Sequence, residues 1–334
     1  MNVLITGASG FIGGYVAQAA RAAGCDVNAL VRPNSDCSQL AGVRIWEGDV
    51  THRDSLAGAV AQADVVLHLA AKTKARNARE LDVVNVAGTR KLAEACAACA
   101  NPPRLVVVSS LAAAGPGTPE RPRRETSPCQ PVSNYGRSKL AAEWAARDFA
   151  DRVPMCIVRP PLVFGAGDRD GRVLIRSIAR TGWHVVPRRG LPLSVIHAED
   201  LAQILLRVSQ RGQPVRAECE SAGVYHVAHP EPSSLGEIGQ LIGEALGKRC
   251  RVLKVRGWAF AVAAAGGELA ARLGRPPSVL NWDKLRESLQ AGWVTSTDKL
   301  VDELDYRVAT ATAERYRETV EYEWGTARRN IALG

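Results

Sequence analysis

Asn2-Val3-Leu4-Ile5-Thr6-Gly7-Ala8-Ser9-Gly10-Phe11-Ile12-Gly13 opens the chain and decides its reading. A short β-branched run ends in a glycine triplet, and an Ala-rich helical pattern continues from Phe11 to Ala23. Gly7 lets the chain turn sharply, Gly10 lets the backbone approach an anion, and Gly13 lets the new helix pack on the strand. A helix start presents free N–H groups and the positive end of its dipole. The turn from Gly7 to Gly13, including Ser9, Phe11 and Ile12, therefore predicts a pyrophosphate-binding loop.

The pattern continues outward from that loop. Asp26–Val31, Val43–Trp46, Asp64–Leu69, Arg104–Ser109 and Met155–Val158 read as further strands, with helical patterns around Arg53–Gln62, Arg79–Ala100 and Asn134–Ala150. Nearly continuous apolar strands alternating with helices predict an α/β fold: a Rossmann-type, doubly wound parallel sheet covered on both faces. In such sheets ligands bind at the carboxyl ends of the strands. After residue 160 glycines and prolines become frequent and the rhythm breaks. The expected division is a dinucleotide-binding domain over 1–160 and, over 161–334, a smaller α/β substrate lobe with some segments returning to the sheet. Ser234-Leu235-Gly236-Glu237 is a capping box that starts one helix of this second part.

The end of the second strand chooses between cofactors. A carboxylate there binds the ribose hydroxyls of NAD and repels a 2′-phosphate, whereas this strand ends Ala29-Leu30-Val31-Arg32. Arg32 is placed to pair with a phosphate, so NADP(H) is preferred and NAD(H) remains open. Asp49 and Val50, after the third strand, are placed to meet the adenine edge. Leu69, Ala70 and Ala71 end the fourth strand with side chains that let a cofactor lie flat. His68, in a parallel core strand, reads as a packed histidine rather than a catalytic one.

Tyr135-Gly136-Arg137-Ser138-Lys139 starts a predicted helix, and the i, i+4 spacing puts Tyr135 and Lys139 on one face. Alone, this is an ordinary surface pair. Downstream of a dinucleotide loop it suggests acid–base chemistry, in which a neighbouring ammonium lowers a tyrosine pKa of ~10 towards the phenolate. Ser110, at the end of the fifth strand, is placed to hydrogen-bond a substrate oxygen beside the tyrosine.

These motifs resemble the extended short-chain dehydrogenases/reductases, a group that includes nucleotide-sugar epimerases, dihydroflavonol-type reductases and 3β-hydroxysteroid dehydrogenases. The resemblance rests on Thr6-Gly7-x-x-Gly10-x-x-Gly13, Gly48-Asp49, His68-Leu69-Ala70-Ala71, Asn85-Val86-x-Gly88-Thr89 and Ser109-Ser110. It continues through Tyr135-x-x-x-Lys139, Arg159-Pro160-x-x-Val163-x-Gly165 and His197-x-x-Asp200-Leu201. It implies Ser110, Tyr135 and Lys139 as the catalytic set, Ser110 being favoured over Ser109 by the count back from Gly115. It further implies that Ser109, Asn85 and the segment from Pro160 to Val163 line the cofactor, that Lys139 holds the nicotinamide ribose, and that the chain forms a homodimer through the helices of Asn85 and Tyr135.

Within that group, epimerases usually carry an Arg-Asp pair before the His197 stretch to grip a substrate diphosphate. Here the positions read Leu193-Ser194, with Arg188 and Arg189 upstream as substitutes. The reading is a ketoreductase or alcohol dehydrogenase acting on a largely apolar small molecule. A nucleoside-diphosphate-sugar epimerase or dehydratase is the alternative. A non-catalytic NADP-sensing regulator is the third, disfavoured because Tyr135 and Lys139 are both kept. The apolar Trp258–Leu273 run is read as lining a substrate pocket or lid, or as a plain core helix.

Composition limits the rest. The chain has 334 residues, 46% hydrophobic and 23% charged, with eight cysteines and a net charge of +9, an ordinary globular balance. The cations read as scattered, with Arg121, Arg123 and Arg124 as one tight cluster, so no nucleic-acid partner is expected. Cys96-x-x-Cys99 lies mid-helix without a second pair or a nearby histidine, which argues for small buried side chains rather than a metal site. No apolar run reaches the length of a membrane span, and the first strand leaves no room for a leader. A cytoplasmic location is expected.

Overall fold

The computed structural model describes residues 1–256 and 282–332. In chain order its first half runs β1 (Asn2–Thr6), α1 (Phe11–Ala22), β2 (Asp26–Val31), β3 (Arg44–Glu47), α2 (Ala57–Val60) and β4 (Val65–His68). It continues with α3 (Ala78–Leu81), α4 (Gly88–Ala97), β5 (Arg104–Val108), α5 (Leu111–Ala114), α6 (Asn134–Arg147) and β6 (Met155–Arg159). The six expected strands are present, each within one residue of its expected ends.

The second half comprises β7 (Leu162–Phe164), α7 (Arg169–Thr181), β8 (Trp183–Pro187), β9 (Pro192–Leu193), β10 (Val195–His197) and α8 (Ala198–Arg211). Then come β11 (Val224–His226), β12 (Ser233–Ser234), α9 (Leu235–Ala245), β13 (Arg251–Val255) and helices Trp282–Ser288, Asp298–Leu304 and Thr312–Ala332. The Trp258–Leu273 run lies outside the described residues.

Seven strands form one sheet in the order β11-β6-β5-β4-β1-β2-β3, and every adjacent pair is parallel. The strand order reverses between β1 and β4, so the crevice beyond Thr6 and His68 is the switch point at which such sheets bind ligands. One face is closed by Val16, Ala20, Leu201, Leu205 and Leu300, from α1, α8 and helix Asp298–Leu304. The other is closed by Val60, Leu92, Cys96 and Ala146, from α2, α4 and α6. Strands buried on both faces explain the unbroken apolar runs.

β11 returns to the sheet edge beside β6. A separate apolar cluster joins Phe164, Ile178, Leu193, Ile242, Tyr316 and Val320, and holds the later elements together. The Ser234 capping box is formed in full, with Ser234 and Glu237 exchanging side-chain-to-backbone bonds.

Candidate active site

The glycine loop is shaped by contacts that no side chain would survive. Gly7 has φ +75°, and a Cβ there would lie 2.7 Å from the Ala70 nitrogen; one on Gly13 would lie 2.2 Å from the Gly7 carbonyl. The first turn of α1 has no acidic residue and Gly10 provides no side-chain cap, so its N–H groups remain open to an anion. Ser9 and Gly10 are exposed, Phe11 and Ile12 half-buried. The cradle thus fits a dinucleotide pyrophosphate.

Arg32 is exposed just beyond β2, while the Val31 side chain is buried. β2 itself ends without a carboxylate. Burial pushes the Asp49 carboxyl upward, but hydrogen bonds from the Thr51 backbone and hydroxyl, joined by the Arg32 charge, together hold it below its ordinary range. Val50 is buried and sits where a Cβ on Gly88 would collide with it, at 2.9 Å.

The end of β4 is braced by a one-directional chain. The Ala70 N–H donates to Thr6 Oγ1 (3.2 Å), Thr6 Oγ1 meets His68 Nδ1 (2.7 Å), His68 Nε2 meets Thr89 Oγ1 (2.9 Å), and Thr89 donates to the Asn85 carbonyl (2.6 Å). Thr89 spends its one proton on the Asn85 carbonyl, so His68 carries a proton on Nε2 and donates it to Thr89, while Nδ1 faces the Thr6 hydroxyl. Burial, reinforced by the Lys139 charge, pushes the His68 pKa down to about 3. His68 is a packed core histidine, as its strand position suggested.

Asn85 belongs to a π-helical stretch, Asp82–Ala87, between α3 and α4. Its side chain is 1% exposed, accepts from the Lys72 N–H (2.7 Å) and donates to the Lys72 carbonyl (3.0 Å) and to Ser138 Oγ (2.9 Å). Asn85 therefore fixes the segment after Leu69, Ala70 and Ala71 against α6. Pro160 and Val163 flank the turn from β6 to β7; the Pro160 carbonyl accepts from the Leu111 N–H at 2.8 Å.

β5 and α6 meet in three rungs. Ser110 caps α5 by accepting from the Ala112 N–H (3.1 Å), which leaves its hydroxyl proton for the Tyr135 oxygen, to which it is hydrogen-bonded. Lys139, one turn further, donates to the Val108 carbonyl at 2.7 Å. Glu143, a turn further again, accepts a short bond from Ser109 and pairs with Arg159. Ser110 and Tyr135 are brought together, and Lys139 lies one turn further along α6. Burial pushes the Tyr135 pKa up to about 12, and the Glu287 charge adds to the rise, so burial opposes the pull towards phenolate expected from the ammonium. Burial also pushes Lys139 down to about 8, against the pull of Glu143.

Two groups of side chains escaped the sequence reading. The Glu143–Arg159 pair is carried by two motif-bearing elements, and the i+4 step from Lys139 to Glu143 was the available signal. Asp283 and Glu287, on helix Trp282–Ser288, accept from the Tyr135 N–H (3.2 Å) and the Ser133 hydroxyl (2.8 Å). Nothing local in the sequence announces a contact across some 150 residues. Among the described residues no three His, Cys, Asp or Glu side chains gather as a metal site, and no helix is long and apolar enough to cross a membrane.

A seven-stranded parallel sheet, a glycine cradle at its switch point and a Ser-Tyr-Lys set define an extended short-chain dehydrogenase/reductase. The chain belongs to the NAD dependent epimerase/dehydratase family, whose sequence model matches residues 3–220. It is similar to a protein of Caulobacter vibrioides named ceramide reductase, at 30% identity over 302 residues, covering 90% of this chain and 88% of that protein. It is also similar to 4-hydroxy-2-methyl-3-oxo-4-farnesyl-3,4-dihydroquinoline-1-oxide ketoreductase of Stigmatella aurantiaca, at 29% identity with 80% of each chain covered. UDP-glucose 4-epimerase of Thermus thermophilus, solved in complex with NAD, shares the fold with a TM-score of 0.75 at 22% identity, over 97% of this chain and 99% of that one.

Proposed function

We propose that this chain is an NADP(H)-preferring ketoreductase, or alcohol dehydrogenase in the reverse direction, acting on a largely apolar carbonyl compound. The observation that carries the reading is the Tyr135–Ser110 hydrogen bond, with the Lys139 ammonium buried one turn further along α6 against the Val108 carbonyl, in a sheet whose first turn is a glycine cradle. When bound, the nicotinamide supplies or accepts the hydride. Tyr135, protonated near neutrality because burial holds its pKa at about 12, gives its proton to the carbonyl oxygen as that oxygen gains charge. Ser110 holds the same oxygen. Lys139, still an ammonium below about pH 8, stabilises the phenolate left behind. The exposed Arg32, with no carboxylate at the end of β2, supports the preference for a 2′-phosphate.

Leu193 and Ser194 support a reductase over an epimerase. Leu193 is buried, and the Ser194 hydroxyl accepts from the Thr295 N–H, so neither is a grip for a diphosphate. The printed names of two relatives, ceramide reductase and a farnesyl-bearing quinoline oxide ketoreductase, support an apolar ketone as the substrate class. We assign substrate binding to the part from residue 161 onward. We assign dimer contacts to the exposed Val83 and Trp144, on the helical segments of Asn85 and Tyr135, and place the protein in the cytoplasm.

The test is NADPH oxidation against a panel of long-chain and polycyclic ketones, with Tyr135→Phe as control. Turnover that falls by about 10²–10⁴-fold in the variant supports the assignment. Conversion of UDP- or dTDP-sugars by the wild type, without net redox on any ketone, rejects it.

A further inference from the structure

The two-stranded sheet formed by β8 and β13 breaks the usual pattern of a half-buried sheet. His184 and Val186 face inward, His184 Nε2 bonding the Leu235 carbonyl at the start of α9. The outward positions should then be polar. They are instead Trp183, Val185 and Leu253, which are 44%, 47% and 46% exposed. The parallel register sets Arg251 beside Trp183 and Leu253 beside Val185, so the three apolar side chains form one patch, with the Arg251 guanidinium 5.4 Å over the Trp183 ring.

The chain segments that carry this patch are strongly basic, between Asp170 and Glu199 and after Glu244. Residues 171–198 hold five arginines and no carboxylate, and residues 245–256 hold five lysines or arginines and no carboxylate. Those ten cations exceed the +9 net charge of the whole chain, so the rest of the protein carries no positive excess. Of these ten cations, only Arg172 is in an ion pair among the described residues, with Glu323. The cations that looked scattered along the chain are gathered because β8 and β13 pair across some 70 residues.

We propose that the β8–β13 face docks on the surface of an anionic lipid bilayer, with Trp183, Val185 and Leu253 entering the headgroup region and the surrounding cations meeting lipid phosphates. An apolar centre with a basic rim is the composition of a surface that lies in a membrane interface, and tryptophan favours that depth. The exposed aliphatic centre favours a bilayer over nucleic acid, which is bound by basic grooves with stacking aromatics. This docking surface goes beyond the catalytic assignment and does not depend on it.

The test uses the full chain and vesicles of phosphatidylcholine with 0 or about 30% phosphatidylglycerol. Co-sedimentation is expected with the anionic vesicles only, and is expected to weaken as salt is raised. Val185→Asp/Leu253→Asp should abolish it. Arg188→Gln/Arg189→Gln/Arg251→Gln should weaken it by on the order of a hundred-fold, at about five-fold per cation. Both variants should keep the wild-type melting temperature and NADPH affinity, which separates lost docking from lost folding. Absence of vesicle binding, equal binding to neutral vesicles, or binding untouched by both variants overturns the proposal. So does tighter binding to duplex DNA than to vesicles, or a change of oligomeric state in Val185→Asp/Leu253→Asp, which would make the face a nucleic-acid or self-association surface.

Discussion

Glu143 and Arg159 form a buried, two-pronged ion pair, with Arg159 Nε donating to Oε1 at 2.9 Å and Nη2 to Oε2 at 2.6 Å. The two residues are 1% and 4% exposed, and Ser109 donates a further bond to Oε1. The pair ties α6 to β5 and β6 immediately below Lys139. Removing one partner leaves the other charge buried and uncompensated, which costs about 3–5 kcal/mol. Glu143→Ala is therefore expected to lower the urea-unfolding free energy by that amount, as measured by equilibrium denaturation. Glu143→Gln, which keeps one acceptor for Arg159, should lose less.

The same carboxylate has a kinetic signature. Lys139 is an ammonium whose pKa burial lowers from its ordinary value to about 8, and the Glu143 charge opposes that fall. The ammonium is present below about pH 8 and is lost as pH rises through it. The rate constant kcat/KM for ketone reduction should be level up to that point and then decline towards tenfold per pH unit. Tyr135, at about 12, stays protonated throughout and sets no limb in this range. Glu143→Gln removes the charge that holds Lys139 up, so the limb should move to lower pH. A limb unmoved by that substitution would assign it to another group.

Arg32 makes a prediction about binding alone. Its guanidinium is exposed beyond β2, where a carboxylate would otherwise reject a phosphate. Hydrogen bonds to charged groups contribute about 1.5–3 kcal/mol, or roughly 10- to 150-fold in affinity. Arg32→Ala should weaken NADPH by that factor in calorimetry and leave NADH unchanged. Equal losses for both cofactors would place Arg32 outside the 2′-phosphate site.

The limits of legibility follow from sequence distance. The glycine loop, the six strands and the Tyr135–Lys139 spacing are legible because each is local to one element or turn, whereas Ser110, on another element, is chosen over Ser109 only through the family resemblance. Asp283 and Glu287 reach Tyr135 and Ser133 across some 150 residues, a contact that only tertiary packing creates. The cations of β8 and β13 were misread as scattered for the same reason. The ammonium four residues after Tyr135 is visible in sequence, whereas the burial that raises the Tyr135 pKa is not. The motif points to Asn85 but does not reveal its partners, Lys72 and Ser138, which lie 13 and 53 residues away.

Two buried histidines make acid the condition that unfolds this protein. His68 is held neutral by burial and by Lys139, and His226 by burial and by Arg159; both pKa values are pushed down to about 3. His226 Nδ1 meets Thr295 Oγ1 at 2.6 Å, while its Nε2 is buried with no hydrogen-bond partner, so a proton there would have no acceptor. The unfolded chain takes up these protons near pH 6.5, which the folded chain refuses until about pH 3. The stabilising contribution is thus complete above pH 6.5 and is lost as pH falls through that window, at about 1.4 kcal/mol per pH unit for each histidine. Urea midpoints measured from pH 7 to pH 4.5 should fall accordingly. His226→Asn, whose amide can still donate to Thr295, should flatten the slope by about one histidine's share. An unchanged slope would mean that His226 is already protonated in the folded protein, with a partner for Nε2.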